Sequence, residues 1–164
     1  IDFEYLVELL QGFVEYLDDP KSKETEFKEK IQKLREITNE FAKTNPKLGE
    51  LLNQVIDEIE KDKEKFIGQD ISVIVNQMRY DAIDKEIQLF AKKWFLDPED
   101  VRYEAMNYKD GVLANENKLK DKANFKEYLK VTENPITTKK FKFRSMLVDD
   151  FREVLMPSIQ PLLD

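Results

Sequence analysis

The densest chemistry in this chain is the run Lys139-Lys140-Phe141-Lys142-Phe143-Arg144, which sets four cations around two aromatic rings. Cations of this kind neutralise backbone phosphates and release the counterions condensed on nucleic acid, while aromatic faces stack on unpaired bases. The run closes a longer basic stretch. Between Gly111 and Arg144 there are nine Lys/Arg against four Asp/Glu, a net +5; the whole chain carries -7, so the remainder carries -12. Lys118, Lys120 and Lys122 lie in that stretch and join Lys139, Lys140, Lys142 and Arg144 as candidate contacts to a DNA backbone. Alternatively, Phe141 belongs to an apolar helical stripe and the lysines form only its wet face. No Lys or Arg precedes Lys21, so the acidic opening helix would repel nucleic acid, and a DNA contact is expected at the other end of the molecule.

Carboxylates gather at Asp57/Glu58/Glu60, at Asp97/Glu99/Asp100 and at Asp149-Asp150. In principle such groups hold magnesium or exchange protons. Neighbouring helical positions point about 100° apart, however, so Asp149 and Asp150 do not converge on one ion. The acids around Pro98 have a sufficient role as a helix start, and residues 58–65 alternate in sign as solvated helices do. The chain has no histidine and no cysteine, which removes imidazole bases, thiol nucleophiles and the usual zinc, haem and iron–sulfur ligands. Its glycines, Gly12, Gly49, Gly68 and Gly111, fit no phosphate-binding loop of the GxGxxG or GxxxxGK[ST] kind. A non-catalytic element with no metal and no cofactor of its own is expected. Trp94, Phe95, Tyr103 and Tyr108 cluster around the Asp97-Pro98 corner. They read either as core or as a partner-binding patch.

The elements that must position these residues are helical. An apolar stripe of Phe3, Leu6, Val7, Leu10 and Val14 runs to about Leu17 and stops at Asp18-Asp19-Pro20. Phe27, Ile31, Leu34 and Phe41 mark a second helix over 23–43, ended by Asn45-Pro46 because the residue before proline is pushed out of the helical region. A third starts at Pro46 and carries Leu48, Leu51, Leu52, Val55, Ile56 and Ile59, with Gly68 as its C-cap. Asp70 caps a long fourth helix through Trp94; a break at 79–81 is an option, since Ile71-Ser-Val-Ile-Val75 alone also reads as a strand. Asp97-Pro98-Glu99-Asp100 combines an N-cap, a proline at the first position and acids in the first turn, and starts a short helix to about Tyr108. Asp110-Gly111 is a turn.

Residues 112–137 are Lys- and Asn-rich, with a short helix around 124–130 and a loop over 132–138. Thr137 or Thr138 is placed as cap of a last helix bearing Phe141, Leu147, Val148, Phe151, Val154 and Leu155, which Pro157 should end or kink. The expected fold is all-α: one domain, an irregular bundle of six to seven helices with a Lys/Asn-rich connecting segment. No apolar run reaches the roughly 20 residues of a membrane span, and the lack of cysteine makes a cytoplasmic home the default. The stripe already under way at Phe3 and the absence of an initiator methionine are expected of a piece of a longer protein, with loss of N-terminal residues or a tag scar as the alternative.

Several stretches resemble the C-terminal region of the R (motor and endonuclease) subunit of type I restriction–modification enzymes. They are Phe90-Ala-Lys-Lys-Trp-Phe-Leu96, Tyr108-Lys-Asp-Gly-Val-Leu-Ala-Asn-Glu-Asn117, Lys122-Ala-Asn-Phe-Lys-Glu-Tyr128 and Met146-Leu-Val-Asp-Asp-Phe-Arg-Glu-Val-Leu-Met156, with Ile1-Asp-Phe-Glu-Tyr5 at the start. The resemblance implies an ATP- and magnesium-dependent DNA translocase and nuclease as the parent protein. It also implies a helical end region that assembles onto the methyltransferase and specificity subunits. No Walker loop or nuclease core is present here, so the family's ATPase and cleavage residues map to no position of this chain. A purely structural docking domain without nucleic acid remains the alternative.

Overall fold

Short polar side chains start most of the helices. In the computed structural model, which describes residues 2–132 and 138–163, the Asp2 carboxylate accepts the Tyr5 N–H at 2.8 Å and opens α1 (Phe3–Leu17). The helix α2 (Glu24–Ala42) follows; Asn45 then caps α3 (Pro46–Lys61) through the Leu48 N–H, with proline at the first position. A 3-10 turn at Lys63–Lys65 leads to α4 (Ile71–Trp94), where Asp70 accepts from the Ser72 N–H and hydroxyl. Those bonds hold the Asp70 carboxyl below its ordinary range, the Ser72 hydroxyl bond contributing most. Then come α5 (Pro98–Met106), α6 (Glu116–Lys122), α7 (Phe125–Val131), and a last helix in two segments, α8 (Lys140–Asp150) and α9 (Met156–Leu163). A π-helical turn at Phe151–Leu155 joins those two.

Among the described residues the fold is all-helical, with eight helices if the last is taken as one. The surplus over six or seven lies in the Lys/Asn-rich segment, which contains α6 as well as the expected α7. No helix among the described residues is long and apolar enough to cross a membrane.

The chain divides into two compact units, one ending at Asp81 and one starting at Ala82. The boundary falls inside α4, so neither composition nor a linker marks it. The first unit packs α1, α2, α3 and the start of α4 around Leu6, Leu10, Ile31, Leu52, Val55, Ile56, Ile71 and Val75. The corner between α2 and α3 is tight: a Cβ on Gly49 would overlap the Ala42 Cβ and come within 2.7 Å of its Cα.

The second unit is built on aromatic contacts. Trp94 stacks on Tyr128 with centroids 5.3 Å apart, Tyr128 and Phe125 flank Phe143 at 4.8 and 5.2 Å, and Phe90 and Tyr108 each meet Phe151 at 5.7 Å. The buried Glu104 on α5 accepts the Asn115 N–H with both oxygens, at 3.0 and 3.2 Å, and fixes the entry to α6. Asp110 and Gly111, at φ 52° and 77°, form a turn of the type that needs two positive φ angles, closed by Lys109 and Val112.

Several local expectations are corrected. α3 ends at Lys61, so Gly68, at φ 82°, follows the 3-10 turn and does not cap α3. α4 is continuous across 79–81, as the helical period running on past Val75 predicts. Lys139 occupies the N-cap position of α8 without a side-chain bond; Thr138 precedes it, and Thr137 lies outside the described residues. Pro157 does not end the last helix, which continues to Leu163. The π turn just before it, closed by the Met156 N–H on the Phe151 carbonyl, makes room for a ring that lacks a donor. Its extra residue also moves the buried stripe from Phe143, Leu147 and Phe151 to Leu155, Met156 and Ile159, leaving Val154 outside.

Candidate nucleic-acid interface

The start of α8 carries the basic run, and its two phenylalanines part company. Phe143 is buried under Trp94, Phe125 and Tyr128. Phe141, two residues earlier and so about 200° around the helix, is 73% exposed. The apolar stripe therefore runs through Phe143, not Phe141.

Lys139, Lys140 and Lys142 are exposed beside Phe141 and make no ion pair among the described residues. They occupy the first turn of α8, which has no acidic residue and no side-chain cap. The helix dipole places partial positive charge there, so cations are disfavoured and an anion is favoured. Local chemistry and placement conflict at this point, in the direction an external anion would relieve.

Three of the other four candidate cations are engaged. Arg144 pairs with Asp121 at 2.6 Å, Lys122 with Asp100 at 2.8 Å, and Lys120 with Glu116 at 2.9 Å. Glu116 also receives Arg152, whose guanidinium reaches the Gly111 carbonyl as well. The Lys120 hydrogen bond above all, followed by the charges of Lys120 and Arg152, holds the Glu116 carboxyl below its ordinary range against an opposing effect of burial. Lys118 is exposed but borders Tyr103 on α5 together with Lys122. Among the described residues the seven candidate cations thus resolve into an unpaired group at the start of α8, three residues held in ion pairs by α5 and α6, and Lys118, exposed and in no ion pair.

The four aromatics proposed as a partner patch are dispersed. Trp94 is a core residue: its ring is 3% exposed and its Nε1–H donates to Asp150 Oδ2 at 2.7 Å. Tyr108 is half-buried against Phe151, and Tyr103 stands exposed on α5. Phe95 lines a cleft with Leu89, Lys92, Lys142, Val131 and Met146. Lys92 escaped the sequence reading because cations in the last turn of a helix already answer the dipole. Among the described residues no group of three or more acidic side chains is arranged to hold a metal ion; Asp150 turns inward to Trp94 and Lys93 while Asp149 stays exposed.

The chain matches no family model, no curated protein and no solved structure.

Proposed function

We propose that this chain is a non-catalytic helical region of a type I restriction–modification R subunit, which helps assemble the motor onto the methyltransferase and specificity subunits and contacts DNA without reading its sequence. The observation that carries the DNA contact is the start of α8: three exposed lysines, unpaired among the described residues, surround an exposed phenylalanine at the helix end where cations are disfavoured. Lysines in that setting grip phosphates, which position a duplex but carry no sequence information. The family assignment is supported by the stretches from Phe90, Tyr108, Lys122 and Met146 quoted above. ATP and magnesium chemistry would belong to other domains of the parent protein, and the restriction complex would be cytoplasmic.

A titration of duplex DNA binding against salt tests the contact. Binding should weaken steeply with salt in the intact chain and be much weaker, with a flatter salt dependence, in the Lys139/Lys140/Lys142 triple alanine variant. Binding that follows one DNA sequence, or no binding at low salt, would contradict it.

A second reading, a docking domain with no nucleic acid, is favoured by the intramolecular pairing of Lys120, Lys122 and Arg144. It predicts no DNA binding by the intact chain, with association to the methyltransferase–specificity core retained.

A further inference from the structure

A cleft of about 970 Å³ opens in the second unit between the end of α4, α7 and α8. Leu89, 54% exposed, Val131, 69% exposed, and Met146 on α8 give it an aliphatic strip, beside Tyr128, Lys93, Thr132 and Thr138. Apolar side chains this open are ordinary when scattered, but here they converge on one concavity. Lys92 and Lys142 stand on its rim, exposed and without ion pairs among the described residues.

Phe95 also lines the cleft, and its backbone is unusual. It sits at φ 55°, at the position just past the end of α4, while the Leu96 N–H reaches back to the Ala91 carbonyl at 2.9 Å. This is the helix ending in which glycine is the usual residue, because a Cβ is strained there. A large aromatic ring at that position, only half-buried and facing an open cleft, gains little packing in return for the strain. Strain of this kind marks sites where the side chain is used.

We infer that this cleft is a docking groove for an acidic amphipathic helix of a partner protein. Charge complementarity selects the occupant: two rim lysines without ion pairs among the described residues call for carboxylates, and the strip of Leu89, Val131 and Met146 calls for leucine-like side chains at helical spacing. A nucleic acid would satisfy the lysines but leave Leu89, Val131 and Met146 against sugar and phosphate. Met146 suits a helix whose side chains must be accommodated on arrival. The inference concerns a different surface from Phe141 and the α8 N-terminus, and Lys142 is the only residue common to both.

The probe is a fluorescent helical peptide of about four turns, with leucines at i, i+3, i+4 and i+7 and glutamates between them. It is titrated into the intact chain by anisotropy, with amide chemical shifts followed in parallel. Saturable binding with shifts confined to the cleft is expected. Leu89→Asp and Lys142→Glu should each weaken it about tenfold or more, while Lys140→Glu leaves it unchanged. Both altered side chains are solvent-facing, and an unchanged helical spectrum confirms folding of each variant. Three results would overturn the inference: no saturable binding, binding indifferent to Leu89→Asp, or displacement of the peptide from the same resonances by a single-stranded oligonucleotide. Concentration-dependent self-association abolished by Leu89→Asp would also overturn it, by giving the cleft to a second copy of this chain.

Discussion

The indole of Trp94 donates its Nε1–H to Asp150 across 2.7 Å, and so ties the end of α4 to the end of α8. The same carboxylate takes Lys93 at 3.2 Å, and the Trp94 ring is closed over by Tyr128 and Phe143. Removing the acceptor leaves a buried N–H with nothing to bond. Asp150→Ala should therefore cost about 1–3 kcal/mol in urea unfolding, and Asp150→Asn, which keeps an acceptor oxygen, distinctly less. Asp149→Ala, next door but exposed, should stay within about 0.5 kcal/mol of the parent chain. Equal losses at the two positions would show that the indole bond contributes nothing.

Two glycines should respond to alanine with opposite signs. Gly12 sits on the exposed side of α1 with nothing within 4 Å of an added Cβ, so Gly12→Ala gains helix propensity and should stabilise by about 0.5–1 kcal/mol. At Gly49 the same methyl meets the Ala42 Cβ and backbone at the α2–α3 corner. Overpacking against backbone outweighs propensity there, and Gly49→Ala should lose about 1–2 kcal/mol net. Thermal or denaturant unfolding of the two variants side by side decides the matter.

What was legible in the residues is what local chemistry controls. Asn45-Pro46, Asp70 and Asp97-Pro98 announce helix starts because each acceptor reaches a backbone N–H two or three residues on. The helix α6 was not legible, since its one buried residue, Leu119, creates no period. The π turn answers a steric demand made by Pro157 on the preceding turn, and its shift of the buried stripe cannot be seen in a pattern that assumes a constant period. Phe141 and Phe143 each fit an apolar stripe on paper, and the aromatic shell of Trp94, Phe125 and Tyr128, drawn from two other helices, made the choice. The cleft was invisible for the same reason: Leu89, Phe95, Val131 and Met146 come from separate segments.

Acid should loosen the contact between α6 and the π turn. Glu116 bridges Lys120 and Arg152, each at 2.9 Å, and is held below its ordinary range in the folded chain. A carboxyl depressed on folding contributes stability that is fully present above its unfolded value and is lost as pH falls through the folded one. Unfolding followed from about pH 6 down to about pH 3 should thus show a loss that Glu116→Gln reduces, the variant being less stable near neutrality and converging on the parent chain in acid. Parallel curves at all pH values would remove Glu116 from the acid response.

The division of the basic residues into free and engaged groups makes a quantitative demand on DNA binding. Each phosphate neutralised contributes about 0.9 to the slope of log affinity against log salt. Alanine at Lys139, Lys140 and Lys142 together should therefore flatten that slope by about 2–3. Alanine at Lys120, Lys122 and Arg144 should barely move it, because Glu116, Asp100 and Asp121 already take those charges, and should instead lower stability slightly. Phe141→Ala separates stacking from charge: the duplex slope should hold while affinity for a single strand falls. A slope that drops equally for both lysine–arginine groups would mean that the ion pairs open on binding and that the DNA-facing surface extends from α8 across α6.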